Sequence, residues 1–444
     1  MKTFDELYFE KKMDPEQLLE LIQDYDYIFC AQAASEPDAI LQHMAHLKKT
    51  GVHDVVFNTC LPIHRYEWFH DEELRGILQH NAWFFNGDLR KAQKNKMVSD
   101  IPQHSTTALK KALFRAKHDG RRPVLMATVA PMDEDGYLSL SISSVYEIEL
   151  VRDGALVLLE VNPNYPRTFG DTMIHISEVD ALVESDRPVP EVPYSAYDET
   201  DAIIGKHIAS LVEDGSTIQL GIGNIPNAVA NELKTRKHLG IHSEMFTENM
   251  VDLIESGAVD NSQKGFNDGY SVCSFTMGSK RLYHFLNNNP TVLFKPATYT
   301  NDPYTIGRNN KFVSINATLA IDLTGQCASE SVGHMQFSGS GGQAETVQGS
   351  QMSPGGKSII ALHSTYTSKD AEGNEVLHSK IVPMHEPGTV ITTSRNDVDY
   401  VVTEYGIAWL RGLNVSQRVE ALINIAHPDF RDWLREEAEK YMIW

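Results

Sequence analysis

Two glycine-containing loops and one acidic residue are the parts of this sequence whose residue types could do chemistry. The first loop, Gly-Ile-Gly-Asn-Ile at residues 221–225, lies between a strand-like apolar run and a helical run. Glycines at such a turn let the backbone approach a ligand, and the following helix N-terminus offers unpaired N–H groups. We therefore predict a ligand-binding turn, although a tight turn without a ligand explains an isolated G-x-G equally well.

A dinucleotide site is the first alternative for this loop. That fingerprint requires G-x-G-x-x-G and an acidic residue about 20 residues further on, at the end of the next strand. Glu244 lies at that distance, but Pro226 replaces the third glycine, which normally lets the helix pack closely on the strand. A nucleotide-dependent dehydrogenase using Gly221 and Gly223 is therefore a weaker alternative that stays open at this point.

The second loop is denser in glycine. Gly-Gly-Gln occurs at residues 341–343, and Gly-Gly-Lys at residues 355–357 precedes a buried strand-like run. Closely spaced glycines turn several backbone N–H groups toward one point, which suits a thioester oxygen or a tetrahedral oxyanion. No G-x-x-x-x-G-K-[ST] frame exists here, so a phosphate-binding P-loop is not predicted. A flexible loop without a ligand is the alternative.

Charge and composition limit the classes of ligand. The chain has 39 Lys and Arg against 60 Asp and Glu, a formal net charge of −21. This argues against a nucleic-acid binder, which needs a basic face, but not against a small phosphorylated ligand. The four cysteines are scattered singly, and no H-x-x-x-H or H-E-x-x-H pair lies on a predicted helix, so we predict neither disulfides nor a metal site.

The chain also lacks the patterns of membrane and export segments. Its start mixes charged and apolar residues, and no stretch approaches the roughly 18 apolar residues that a transmembrane helix needs. We therefore expect no membrane partner and a reduced, cytoplasmic location.

The elements that must position these loops alternate between strands and helices. Apolar runs of strand length occur at residues 123–129, 155–161 and 216–220, with helical segments between them. Runs that are apolar on both faces and alternate with helices are typical of parallel sheets covered by helices.

The length of 444 residues favours two or three domains, and prolines between residues 187 and 197 mark a crossover. We predict two tandem open α/β domains with mostly parallel sheets covered by helices. The first would span residues 1–190, and the second, residues 191–444, would carry the acidic residue.

Short motifs occur in a fixed order along almost the whole chain. The first half contains Ser35-Glu36-Pro37 and V-N-P-N-Y-P-R-T at 161–168. The second half contains G-I-G-N-I-P at 221–226, G-I-H-S-E-M at 240–245 and V-T-E-Y-G-I-A-W-L-R-G at 402–412. In this order the motifs resemble the acetyl-CoA hydrolase/transferase family, especially its 4-hydroxybutyrate and butyrate:acetate CoA-transferases.

The resemblance implies a CoA-transferase in which Glu244, the acid after G-I-H-S, is the nucleophile. It also implies that Asn316 and the backbone N–H groups of Gly341 and Gly342 bind an oxyanion, and that Glu404 is a carboxylate beside the nucleophile. The chemistry is consistent with these residue types. A carboxylate with a reference pKa near 4.3 is ionised at neutral pH and needs no general base to attack a thioester.

The resemblance further implies that Gly221, Ile222, Gly223, Asn224 and Ile225 contact CoA. We predict Gln343 and Lys357 as further contacts, although a charge at the start of a strand is just as often a solvated surface residue. CoA and acyl-CoA are then substrates, with no tightly bound cofactor, and the acceptor is a small carboxylate such as acetate, butyrate or 4-hydroxybutyrate. An acyl-CoA hydrolase on the same scaffold is the alternative. The resemblance also implies a homodimer or homotetramer with an active site at the domain interface.

One position departs from the family pattern. Asp-Phe commonly follows Gly-Gly-Gln after one intervening residue, where this chain has Glu345 and Thr346. The acid is one methylene longer and an aromatic ring is lost. This leaves the nucleophile untouched but weakens any inference about the choice of substrate.

Overall fold

A computed structural model describes residues 2–443 and divides the chain into two compact units. The first unit contains the chain up to Pro193 together with the segments Glu244–Glu248 and Ser271–Thr300. The second unit contains Tyr194–Ser243, Asn249–Tyr270 and the chain from Asn301 onward. Each unit is built on one open sheet.

The sheet of the first unit has seven strands. In chain order these are β1 (Tyr27–Cys30), β2 (Val55–Thr59), β3 (Leu78–Ala82), β4 (Val98–Asp100), β5 (Pro123–Val129), β6 (Leu156–Val161) and β7 (Ala181–Glu184). Their order across the sheet is β7-β6-β5-β1-β2-β3-β4, and all neighbours are parallel. The central strands are apolar on both faces, which is what a parallel sheet covered on both sides requires.

Helices cover both faces of this sheet. Phe29 and Leu125 pack on one side with Leu109 of the helix Ser105–His118. Ile28 and Val124 point to the other side, into a second apolar cluster. The helices of this unit are Phe4–Lys11, Pro15–Leu19, Asp38–Leu41, Leu47–Thr50, Gly87–Lys94, Ser105–His118, Glu147–Arg152, Lys280–Leu286 and Ala297–Thr300.

Two later segments of the chain complete the first unit. The strand Met245–Phe246 pairs in parallel with Phe275–Thr276, and Met245 and Phe275 enter the same apolar cluster as Phe29. The strand Val292–Phe294 pairs with Phe169–Gly170 and with Ser271–Cys273. The sequence predicted a single division at residue 190. The structure differs, because these later segments, one of which begins at Glu244, bury their apolar residues with the first unit.

The sheet of the second unit has six strands. They are β8 (Thr217–Leu220), β9 (Gly240–Ile241), β10 (Phe312–Ala317), β11 (Lys357–Ala361), β12 (Tyr400–Thr403) and β13 (Gly406–Trp409). Their order is β9-β8-β10-β11-β12-β13. All neighbours are parallel except β12 and β13, which form an antiparallel hairpin.

Helices and short strands surround this second sheet. The helices are Glu199–Leu211, Asn224–Leu233, Pro303–Gly307, Gln343–Met352, Val415–Asn424 and Pro428–Lys440, and the helix Glu248–Glu255 begins at the last residue of a first-unit segment. Shorter strands of this unit lie at Ala320–Asp322, Cys327–Ala328, Ser331–Val332, Met335–Gln336, Thr365–Lys369, Glu375–Ser379 and Ile381–Val382, whereas those at Tyr137–Ser139 and Met173–His175 belong to the first unit. The predicted fold class, open α/β with mostly parallel sheets, is confirmed. Between residues 2 and 443, no helix combines the length and the apolar character that crossing a bilayer demands.

Candidate active site

Several predicted site residues meet at the carboxyl edge of the second sheet. β8 ends at Leu220 and leads into the glycine loop, Asn316 lies near the end of β10, and Glu404 directly follows β12. Because these strands are parallel, their carboxyl ends share one edge. That edge is where open α/β sheets bind ligands.

The glycine loop after β8 leaves room beside the backbone. Gly223 has a φ of +118° and precedes the helix Asn224–Leu233, so only glycine fits without strain. A Cβ added at Gly221 or Gly223 would meet no atom within 4 Å. Ile222 between them is half-exposed. The turn therefore has the open approach and the helix N-terminus that an anionic ligand can use.

Asn316 and the second glycine loop lie together. Gln343 begins the helix Gln343–Met352, with Gly342 just before it, and its side-chain amide lies 3.4 Å from the carbonyl oxygen of Ala317. The Nδ2 of Asn316 donates to Thr346 of the same helix at 3.2 Å. The structure therefore brings a side-chain amide next to a turn that carries backbone N–H groups, the pair of donors that an oxyanion needs.

Glu404 is held at this edge by Ser364, which follows β11. Both the backbone N–H, at 2.9 Å, and the hydroxyl of Ser364 donate to its carboxylate. Burial lowers the pKa of Lys380, and the negative charge of Glu404 nearby partly opposes this change. Neither Ser364 nor Lys380 belongs to a recognisable motif, so the sequence alone could not reveal them. The result is a fixed carboxylate with a cation beside it.

Lys357 lies at the opposite edge of the same sheet. It is the first residue of β11 and pairs with Val313, whereas Asn316 pairs with Ile360 near the other end. Its ammonium donates to Glu213 and to the carbonyl of Leu211, both at 2.8 Å. Lys357, together with a second lysine, lowers the pKa of Glu213 to about 2. The structure does not bring Lys357 to the edge that carries the other predicted residues.

The glycines before Lys357 have a packing role. A Cβ added at Gly356 would lie 1.9 Å from the carbonyl oxygen of Ser350, at the end of the helix Gln343–Met352. Gly355 has a φ of +72°. The close approach of the helix end explains Gly356, and the positive φ explains Gly355, so neither glycine requires a ligand.

Glu244 belongs to the first unit, where its backbone and side chain have separate contacts. Its carbonyl oxygen accepts hydrogen bonds from the N–H groups of Ser274 (2.8 Å) and Phe275 (3.1 Å). Its Oε1 lies 3.5 Å from the hydroxyl of Ser105, the first residue of the helix Ser105–His118. The positive end of a helix favours an ionised carboxylate. Because Ser105 and Glu244 are 139 residues apart, no local pattern could reveal this contact.

Cys60 is a second nucleophilic group in this neighbourhood. Burial raises the pKa of its thiol, and the charges of Glu244, Glu147 and Glu36 raise it further. The thiolate is the reactive form of cysteine. Cys60 therefore stays protonated and does not compete with a carboxylate nucleophile.

Glu36, the acid of Ser35-Glu36-Pro37, has a structural role in the first unit. Its Oε2 accepts hydrogen bonds from the backbone N–H groups of Ile63 (3.0 Å) and His64 (3.3 Å). Burial raises its pKa, and those bonds partly offset the increase. This motif therefore joins two loops that follow β1 and β2.

The segment leading to Glu244 is anchored in the second unit by a buried lysine. Lys264 is fully buried, and its Nζ donates to the carbonyls of Ile241 (2.9 Å) and Tyr270 (2.6 Å). A Cβ at Gly240 would lie 2.2 Å from the Cγ of Lys264, which explains the glycine of G-I-H-S-E. The hydroxyl of Ser243, the residue before Glu244, lies 3.5 Å from the carbonyl of Leu220 at the end of β8.

Lys264 predicts a pH dependence of stability. Burial lowers its pKa from 10.5 to about 7, against a smaller opposing effect of Asp268. Between these values the unfolded chain binds a proton that the folded chain does not, so stability contributed by this residue rises with pH. We expect the free energy of unfolding to gain about 2 kcal/mol from this source between pH 7 and pH 9.

Urea unfolding of the wild type and of Lys264→Met at both pH values measures this gain. The variant should lose the increase, whereas Lys117→Met, which removes an exposed lysine whose ammonium donates to Asp153 at 2.8 Å, should keep it. An equal pH dependence in the wild type and Lys264→Met would contradict the assignment.

The sequence predicted neither a metal site nor disulfides. Among residues 2–443, no three His, Cys, Asp or Glu side chains cluster in a way that could hold a metal ion. The four cysteines are free thiols.

Comparison with known proteins identifies both halves of the chain. The family model for the acetyl-CoA hydrolase/transferase N-terminal domain matches residues 2–193, and the model for the C-terminal domain matches residues 278–438. A succinyl-CoA:cyclohexane-1-carboxylate CoA transferase from Geobacter metallireducens is 40% identical over 99% of this chain and 97% of its own.

A second CoA-transferase and a solved structure also match this chain over almost its whole length. A 4-hydroxybutyrate coenzyme A transferase from Clostridium kluyveri is 39% identical, over 98% of this chain and 99% of its own. The crystal structure of RipA from Yersinia pestis superposes with a TM-score of 0.90 at 35% identity, and the match covers all of both chains. The similarity therefore extends over the fold as well as the motifs.

Proposed function

Because this chain belongs to the acetyl-CoA hydrolase/transferase family, as the order of its motifs predicts, we propose that it is a CoA-transferase. It moves CoA from an acyl-CoA to a small carboxylic acid. The observation that carries the proposal is full-length similarity to enzymes named CoA-transferases, with Glu244 in place after G-I-H-S. Those relatives are named for 4-hydroxybutyrate and cyclohexane-1-carboxylate, which supports a carboxylate acceptor.

The reaction begins at the carboxylate of Glu244. One of its oxygens attacks the thioester carbonyl of acyl-CoA, and the C–S bond breaks to release CoA as a thiolate. The product on the enzyme is a mixed anhydride between the acyl group and Glu244. The contact with the start of the helix Ser105–His118 supports an ionised nucleophile.

CoA then returns to the enzyme. Its thiolate attacks the glutamyl carbonyl of the anhydride, the donor acid leaves as a carboxylate, and Glu244 becomes a glutamyl-CoA thioester. An acceptor carboxylate reverses the two steps and leaves as a new acyl-CoA. Over the whole cycle, the thioester and anhydride bonds that break equal in number those that form, and the mechanism is ping-pong.

Oxyanions form at each attack and need hydrogen-bond donors. We assign Asn316 and the backbone N–H groups of Gly341 and Gly342 to this role, supported by their position at one edge of the second sheet. Glu404, fixed by Ser364, orients groups at that edge. Such donors stabilise the transition state more than the ground state.

CoA carries phosphates, so its site must be more positive than a protein of net charge −21. The turn at Gly221–Gly223 and the first residues of the helix Asn224–Leu233 supply backbone donors, with Gln343 nearby on the same edge. Lys357 is left out of this set because Glu213 already pairs with it. Lys380 is a cation at the carboxyl edge.

Trapping the intermediate tests the proposal. Incubation with acyl-CoA in the absence of an acceptor should give a covalent CoA adduct by mass spectrometry, and borohydride reduction should label the peptide that contains Glu244. Acyl-CoA binding without an adduct on that peptide would rule out the covalent mechanism. Rapid release of free CoA thiol without an acceptor would instead identify an acyl-CoA hydrolase.

A panel of acceptors then identifies the substrate. Acetate, butyrate and 4-hydroxybutyrate should each be compared by the ratio kcat/KM, with CoA release measured in parallel. We also propose a homodimer or homotetramer, which light scattering of the purified protein measures directly.

A further inference from the structure

Thr346, where family members commonly carry phenylalanine, contacts the residue assigned to the oxyanion. Its hydroxyl lies 2.9 Å from the hydroxyl of Ser314 and 3.2 Å from the Nδ2 of Asn316. Ser314 itself lies 2.8 Å from that nitrogen. Both hydroxyls are buried, so water does not replace these contacts. Phenylalanine has no group that could take part.

One arrangement of the hydrogen atoms satisfies all the hydrogen bonds of this cluster together. Thr346 donates its hydroxyl hydrogen to the carbonyl oxygen of Gln343 at 3.1 Å, because a carbonyl oxygen can only accept. Ser314 must therefore donate to Thr346, so neither hydroxyl has a hydrogen left for Asn316. Both accept from it, and the side-chain amide has to turn its NH2 group, not its oxygen, toward them.

The distances allow a single N–H of Asn316 to bind both hydroxyls, which leaves the other N–H for a further acceptor. The amide nitrogen and the two hydroxyl oxygens form a nearly equilateral triangle, so the angle at the nitrogen is about 60°, half of the roughly 120° between the N–H bonds of a planar amide. The two hydroxyls lie on the same side of the NH2 group. One N–H shared between them, as in other three-centre hydrogen bonds, satisfies this geometry.

We propose that Thr346 and Ser314 are positioning residues that fix the amide of Asn316 with one N–H directed at the oxyanion. The proposal rests on the proposed function, since it needs Asn316 as a donor. Without the Thr346 hydroxyl, Ser314 regains a hydrogen that it can donate to the amide oxygen. The amide then turns over in part of the molecules, and its oxygen faces the wrong way.

Thr346→Val tests this directly, because it removes the hydroxyl and keeps the shape. We expect kcat to fall about tenfold, with KM for acyl-CoA changed less than about twofold, since only transition-state binding is lost. Thr346→Ser keeps the hydroxyl and should restore kcat to within about twofold of the wild type. The matched control is Thr172→Val in the first unit, a buried threonine whose hydroxyl donates to Thr168 at 3.0 Å. It should leave both constants unchanged.

Three outcomes separate the possibilities. Unchanged kcat in Thr346→Val, with Asn316→Ala strongly impaired, overturns the positioning role and leaves the proposed function intact. Equal loss of kcat in the valine and serine variants, or a parallel rise in KM, shows a packing role and also overturns it. Unimpaired Asn316→Ala shows instead that the oxyanion role of Asn316 in the proposed function is wrong. Thermal unfolding of each variant confirms that it is folded.

Discussion

Replacing Glu244 with alanine should abolish CoA transfer while leaving acyl-CoA binding measurable. The substitution removes the only atoms that form the covalent intermediate, so we expect kcat to fall by at least about 10⁴-fold, as for other nucleophile substitutions. Binding should survive because the segment proposed to bind CoA, Gly221 to Ile225, does not include Glu244. Turnover, adduct mass and calorimetric binding of acyl-CoA measure the three quantities in one preparation.

Glu248 offers a matched control for this experiment. It lies four residues further along the same segment, where its carboxylate accepts hydrogen bonds from Ser279 (2.6 Å) and Arg281 (2.8 Å). Glu248→Ala removes a carboxylate of the same unit and should retain turnover within about threefold. If Glu244→Ala kept wild-type turnover, the nucleophile would be another carboxylate, and Glu404 would be the next to test.

Replacing Asn316 with alanine should give the second-largest loss. A side-chain donor to an oxyanion is typically worth about 10²–10³ in kcat, and the loss appears in kcat rather than in KM. Asn316→Asp should be at least as impaired, because a negative charge replaces the donor. Steady-state kinetics and the rate of adduct formation from acyl-CoA measure the effect.

The same substitution has an outcome that would contradict the assignment. If KM for acyl-CoA rose with kcat unchanged, Asn316 would bind the ground state and the transition state equally. The oxyanion would then depend on the backbone N–H groups of Gly341 and Gly342 alone.

Much of the fold could be predicted because its signals are local. The run at residues 123–129 is apolar on both faces and became a central strand, Pro123–Val129, as a buried parallel strand requires. The order of short motifs predicted the family, which the comparisons confirm. The glycine loop also lies where the pattern of strand, turn and helix placed it, between Leu220 and Asn224.

Other features depend on pairings between distant residues, which no window of the sequence contains. Lys357 was predicted to contact CoA, yet strand register places it at the amino edge beside Glu213. Ser105 approaches Glu244 across 139 residues. The segment Glu244–Glu248 also joins the first unit, although its neighbours along the chain belong to the second.

By itself, the sequence predicted several strands and helices, the family and the acid that we propose as the nucleophile, because periodicity and motif order are properties of neighbouring residues. It also recorded that Thr346 departs from the family. Only the tertiary structure showed which residues Thr346 contacts. The helix Gln343–Met352 packs on β10, which places one hydroxyl 3.2 Å from Asn316 and determines the direction in which that amide points. Hydrogen-bond direction depends on packing in three dimensions, and no spacing along the chain encodes it.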